Sequence, residues 1–160
     1  MRPAWLPAHA ALPEGFATDA FVVRPLTTAD VLKDWDAVME APARLRGVFG
    51  PRSDWPPDDL SLEQDWIDLA WHQKEFQMRA SFAWTVIAPD ATRVLGCAYL
   101  FPTTHVGFDG EAYHWVRPSL QSTLDAVLDV SMRAWLARAL PFWRIAFPGR
   151  DQAWSAWGAH

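Results

Sequence analysis

Hydrophobic and polar positions along this chain change period several times, and each change marks an element. Phe21–Leu26 (FVVRPL) reads as a strand that ends near Pro25, and Thr28 or Asp30 can cap a helix over Val31–Glu40. On that helix Val31, Leu32, Trp35 and Val38 or Met39 share one face. The Pro- and Gly-rich stretch Ala41–Asp59 reads as a loop. Ser61 and Gln64 have capping-box spacing and open a long helix to about Met78, with Leu62, Trp66, Leu69 or Ala70, Gln73 and Phe76 expected inward.

Phe82–Ala88 and Arg93–Phe101 are apolar strands joined by the turn Pro89-Asp90-Ala91-Thr92, which predicts a hairpin. After the loop Thr103–Gly110, Glu111–Arg117 reads as a strand, Pro118 ends it, and Ser119–Ser122 form a polar turn. A helix follows over Thr123–Ala139, with Leu124, Val127, Leu128, Met132, Trp135 and Leu136 at helical spacing. A last strand is predicted over Phe142–Phe147. Strand, helix and strand in that order suit a crossover between parallel strands, whereas the hairpin must be antiparallel. The expected fold is therefore α/β (mixed α+β): a mixed, largely antiparallel sheet with helices on both faces. Residues 1–15 read as a proline-punctuated arm, 16–150 as one domain and 151–160 as a short tail.

Composition narrows the function. With 160 residues, 51% of them hydrophobic and 21% charged, the chain can bury a real core. A net charge of −5 argues against a nucleic-acid or anionic-membrane surface. No run approaches the ~20 apolar residues needed to span a bilayer, and the N-terminus lacks a secretory pattern. The expected setting is cytoplasmic. Cys97, the single cysteine, lies in an apolar run and reads as a buried thiol. His9, His72 and His160 show no metal-ligand spacing. Of eleven tryptophans, Trp5, Trp154 and Trp157 fall in the arm and tail; they fold back onto the domain or cover a partner, as in a homodimer.

The order of elements resembles the GNAT superfamily of acetyl-CoA-dependent N-acyltransferases. FVVRPLTTAD resembles that family's first strand and helix start, FAWTVIAPDATRVLGCAYLFP its second and third strands, EAYHWVRPS its fourth and FWRIAF its fifth. The resemblance covers about residues 20–148. It implies transfer of acetyl from acetyl-CoA to an amine on a small molecule or peptide, with CoA held by Trp115, Val116, Arg117, Gln121, Ser122, Thr123 and Ala126. The family's turn motif is Q or R, two residues, G, one residue, then G or A. Gln121 and Ala126 match it, and Leu124 replaces the central glycine. A leucine there obstructs a phosphate unless its side chain points into the core.

Asp125, with Ser122, has the spacing of a self-capping pair and would repel a pyrophosphate. The implied catalytic bases are Glu111 and His114, which strand alternation puts on opposite faces. Each also has a plain reading, Glu111 as a solvated strand start and His114 as a half-buried strand residue. The family's acid tyrosine has no counterpart near the C-terminus, since Tyr99 and Tyr113 lie on strands. Asp54, Asp58, Asp59 and Trp55 of the proline loop could wall a site for a cationic amine. The alternative is a GNAT-fold binding or dimerisation module without transfer activity.

Overall fold

A computed structural model of the chain describes residues 3–141 and 143–158. Phe142, the start of the predicted last strand, and His160 lie outside the described residues.

One six-stranded sheet organises the molecule: β1 (Phe16–Ala17), β2 (Val22–Pro25), β3 (Phe82–Ile87), β4 (Val94–Pro102), β5 (Gly110–Val116) and β6 (Ile145–Ala146). The strands lie side by side in chain order. All neighbours are antiparallel except β5 and β6, which are parallel. The β3–β4 hairpin and the crossover between parallel strands match the reading of the sequence. A two-residue strand, β1, was not legible there.

Helices α1 (Val31–Val38) and α3 (Leu62–Gln77) cover one face of the sheet, and α4 (Gln121–Ala139) covers the other. The short α2 (Pro42–Leu45) interrupts the stretch expected to be loop throughout. Ser61 caps α3, its Oγ accepting the Gln64 N–H at 3.0 Å. The α4 side carries Phe82, Trp84, Leu100, Val116, Leu128, Met132 and Leu136. Leu26, Val38, Leu69, Cys97, Tyr99 and Trp115 fill the α1/α3 side.

Two expected helix faces are corrected. On α1, Leu32 is exposed, while Asp34, Ala37 and Val38 are buried. On α3, Leu62 and Trp66 are exposed, while Asp65, Leu69, Glu75 and Phe76 are buried. Leu69 and Phe76 are seven residues apart and define the inward stripe. Asp65 falls on the same stripe one heptad step from His72, so burying the apolar pair carries the polar pair inward.

Both Trp-bearing ends dock on their own chain. Trp5 packs against Trp143 at 4.4 Å between ring centroids, and Leu6 is buried. Trp84 Nε1 donates to the Pro13 carbonyl. At the other end, α5 (Trp154–Trp157) stacks Trp154 on Tyr113 and Trp157 on His105. Among the described residues no helix is long and apolar enough to cross a membrane.

Candidate active site

The parallel pairing of β5 with β6 covers only Gly110↔Ile145 and Glu111↔Ala146. Beyond Glu111 no strand among the described residues lies beside the edge of β5. Which backbone groups face that open edge follows from alternation. The Arg117 N–H donates to the Leu95 carbonyl of β4, whereas the Gly110 N–H faces Arg144 and the His114 carbonyl accepts from Arg150 on the far side. Ala112, His114 and Val116 therefore present their N–H and C=O groups to the opening, about 13 Å of edge at ~3.3 Å per residue. Trp115 and Arg117 turn theirs toward β4.

Side chains alternate as well. Glu111, Tyr113 and Trp115 face α1 and α3, and His114 faces α4. Trp115 is buried and its Nε1 donates to Tyr99 Oη at 3.0 Å. The buried Arg117 guanidinium binds the Val94 carbonyl and the Asp36 carboxylate, tying β5 to β4 and α1. His114 is buried, with Nε2 3.1 Å from Asp129 Oδ1 but off the line of a hydrogen bond. Burial, helped by the nearby Arg150 charge, lowers it to about 4, so the imidazole is neutral.

At the open end of β5 the turn Pro118–Leu120 leads into α4, which starts at Gln121 rather than at Thr123. Gln121, Ser122, Thr123 and Ala126 are exposed on the first turns. Leu124 is 9% exposed and sits in the α4-side core, so its isobutyl group points away from the solvent-facing turn. The expected obstruction is absent.

Asp125 does not cap the helix with Ser122. Its carboxylate pairs with Arg150 through two bonds of 2.9 and 3.0 Å. Burial alone would raise Asp125, but the Arg150 hydrogen bonds and charge outweigh it and hold the carboxyl below its usual range. Glu40 receives the Ser119 N–H and Oγ–H, each at 2.9 Å. Here too burial is outweighed, by Ser119 and Arg117, and Glu40 is held low.

A cavity of about 350 Å³ opens at this junction, lined among others by His114, Trp115, Gln121, Asp125 and the three guanidiniums of Arg44, Arg46 and Arg150. Arg46 is engaged by Pro56 and Asp58, so Asp58 of the proline loop serves as a counterion there. Arg46 is paired with Asp58 and Arg150 with Asp125, so a phosphate-bearing group here would compete with those two carboxylates for two of the three arginines. Arginines line the cavity at the helix start, and backbone groups line the open edge leading from it.

On the opposite face of β5 lies a second cavity, of about 550 Å³, between the sheet and helices α1 and α3. Glu111 and Tyr113 reach it from the strand, Tyr113 Oη donating to Glu111 Oε1 at 3.0 Å. Burial, with the adjacent Glu111 charge, pushes Tyr113 up, and the phenol keeps its proton. Trp55 lines this cavity; its aspartates are Asp34, Asp65 and Asp68 rather than Asp54 or Asp59. Asp34 and Asp65 are 4% and 2% exposed and hydrogen-bonded to each other. Two full charges ~4 Å apart would repel by about 4 kcal/mol at an effective dielectric of 20. Burial and that repulsion push Asp34 well up, and burial with the neighbouring Asp68 charge pushes Asp65 up to about 7. His72, also lining the cavity, is lowered by burial to about 4.

Sequence reading did not assign Asp34, Asp65, Asp68 or His72 to a site. The available signal was the seven-residue step from Asp65 to His72, in phase with Leu69 to Phe76.

No family model matches this chain, and no curated protein matches it by sequence. Solved structures do match it by shape. A structure assigned to the GNAT acetyltransferases, from Bordetella pertussis, is 19% identical, with a TM-score of 0.61 over 86% of this chain and 80% of that one. An acetyltransferase from Salmonella typhimurium that modifies the N-terminal serine of ribosomal protein L7/L12 is 12% identical, with a TM-score of 0.63 over 87% and 77%. A ribosomal L7/L12 N-terminal acetyltransferase solved with coenzyme A is 15% identical, with a TM-score of 0.59 over 76% and 66%. The parting of β5 from β6, the helix that starts beside it and the matched architecture together show that this chain has the fold of the GNAT acetyltransferase structures.

Proposed function

We propose that the chain is an N-acyltransferase that moves an acetyl group from acetyl-CoA to an amine. The observation that carries this reading is the unpaired β5 edge, which connects an arginine-lined cavity at the start of α4 with the strand residues Glu111 and Tyr113. A structural neighbour holds coenzyme A. Arg44, and Arg150 once released from Asp125, would hold phosphates, with Gln121, Ser122, Thr123 and Ala126 at the exposed helix start. The edge groups of Ala112, His114 and Val116 would hold the amide-bearing arm. The bound cosubstrate supplies an activated acetyl thioester.

An ammonium must lose one proton before its nitrogen attacks and a second as the amide forms. One goes to solvent and one to the departing sulfur. Glu111 takes protons from the amine, and Tyr113, which holds its own proton and is bonded to Glu111 at 3.0 Å, donates to sulfur and is recharged by Glu111. An edge N–H of β5 polarises the carbonyl. His114, buried on the α4 side, serves as packing in this scheme.

A binding module without transfer activity is the reading that Arg150 favours, because its guanidinium lies across the open edge. The decisive measurement is thermal denaturation with CoA and acetyl-CoA, followed by mass spectrometry of amines incubated with the acetyl donor. Ligand at 100 Kd is expected to add about 2.7 kcal/mol of stability. No shift at millimolar CoA overturns the transferase reading.

A further inference from the structure

The Trp154 indole is held in its plane from three sides. Its five-membered edge lies on Gly149, where a β-carbon would come within 2.7 Å of Nε1. Its six-membered edge lies on Gly50, where a β-carbon would meet Cζ3 at 3.6 Å. Both glycines have positive φ, +80° at Gly149 and +122° at Gly50, so backbone as well as space resists a side chain there. The third side is Tyr113. The two rings are parallel to within 7°, with centroids 6.4 Å apart.

The segment that carries Trp154 is braced independently of Tyr113. Trp157 is buried, stacks on His105 at 3.7 Å and meets Phe108 edge-on at 5.5 Å. Before the helix, Gln152 accepts the Gly149 N–H through its carbonyl and the Phe147 N–H through its side chain.

Tyr113 needs such a wall. A phenol oxygen sits far from the backbone, so a modest swing of the ring about χ1 displaces it from its partner. Phe49 meets the ring edge-on at 5.3 Å, and Trp154 closes its parallel face. With both in place the hydroxyl stays 3.0 Å from Glu111 Oε1. A cavity of about 290 Å³ adjoins Phe49, Glu111, Tyr113, Trp154 and Trp157. Without the indole that space would admit the swing.

We propose that Trp154 is a positioning residue for acetyl transfer, holding the Tyr113 hydroxyl at Glu111 so that it can reach the departing sulfur. Trp154 touches no reacting atom and acts through Tyr113. This role rests on the acyl-transfer reading and adds the segment after β6 to the chemistry. A purely structural tryptophan would behave differently: its loss lowers stability and leaves the kcat of the folded protein alone. Loss of a positioning contact lowers kcat while cosubstrate binding is unchanged.

The test is a double-mutant cycle on kcat, read by mass spectrometry with acetyl-CoA and n-butylamine, benzylamine or a seryl peptide as acceptor. Trp154→Leu and Trp154→Met both fill the seat without a ring, and circular dichroism selects the variant that folds. Its kcat is expected to fall about 10–100-fold with CoA affinity within about twofold of wild type. Trp154→Phe, which puts a ring back, should restore most of the loss. In a Tyr113→Phe background the same substitution should cost less than about twofold more, because the group it positions is gone. An unchanged kcat in the folded variant, or losses that multiply in the double variant, overturns the proposal. If wild-type protein binds CoA but acetylates none of the three acceptors, the transferase reading falls and this role falls with it.

Discussion

Arg150 holds Asp125 through two hydrogen bonds, of 2.9 and 3.0 Å, while the same guanidinium donates to the His114 carbonyl at 3.2 Å. A residue from the turn after β6 thus closes the space between α4 and the unpaired edge of β5. The ion pair cancels the positive charge that Arg150 would otherwise offer a phosphate. Asp125→Asn keeps the shape and releases that charge. Titration with CoA is expected to show about threefold to tenfold tighter binding by this variant, and the gain should shrink in high salt. Unchanged or weaker binding would show that Arg150 does not face the phosphates.

The sequence resemblance sets Leu124 against the glycine of the GNAT motif, yet placing glycine there is expected to harm the protein. The side chain belongs to the core under α4. Leu124→Gly removes that packing and puts glycine in a helix interior, a loss of about 3–5 kcal/mol. Thermal denaturation should show a midpoint lower by roughly 6–15 °C. CoA affinity of the folded fraction should not improve, and an improvement would mean that this side chain obstructs the ligand after all.

Glu111→Gln and Tyr113→Phe remove the proton acceptor and the proton donor with little change in volume. Each is expected to lower kcat by about 10²–10⁴ while leaving CoA binding within about twofold. His114→Gln should leave kcat nearly intact and act on stability instead. If His114→Gln abolished turnover and Glu111→Gln did not, the two faces of β5 would have been assigned the wrong way round.

Two buried sets of groups pull the pH dependence of stability in opposite directions. Asp65, raised to about 7, binds a proton in the folded state that it loses on unfolding above pH ~4. Its stabilising contribution is present at low pH and is lost as pH rises through about 7. His72 and His114, both lowered to about 4, contribute stability that is present above their unfolded value of ~6.5 and is lost as pH falls toward 4. Between pH 4 and 7 the contributions offset, and the wild-type midpoint should change little. Asp34→Asn with Asp65→Asn removes the acid-side contribution. That variant should melt at least ~2 °C higher than wild type at pH 7.5 and lose stability steeply on acidification. Parallel curves for the two proteins would contradict the shared proton.

The β3–β4 hairpin was legible in the sequence because apolar runs flank a Pro-Asp turn, and α4 because its leucines keep helical period. The inward faces of α1 and α3 were not. Leu32, Leu62 and Trp66 are apolar but exposed, and Asp34 and Asp65 are charged types but buried, so hydropathy selects the wrong stripe. Only partners distant in sequence reverse that choice, which no local window contains. The docking of Trp5 on Trp143 and of Trp154 on Tyr113 was illegible for the same reason. Glu111 and His114 on opposite faces required only the two-residue period of a strand.

The segment after β6 also joins two compartments. Arg150 lies in the arginine-lined cavity, and a few residues later Trp154 and Trp157 wall a pocket shared with Glu111 and Tyr113. A ligand that draws Arg150 away from Asp125 acts on the same short segment that carries the aromatic wall on the other side of the sheet. Coupling of the two seats follows from such a linkage: either substrate prepares the seat of the other. Amine affinity measured with and without CoA should therefore differ, by the same factor as CoA affinity measured with and without amine.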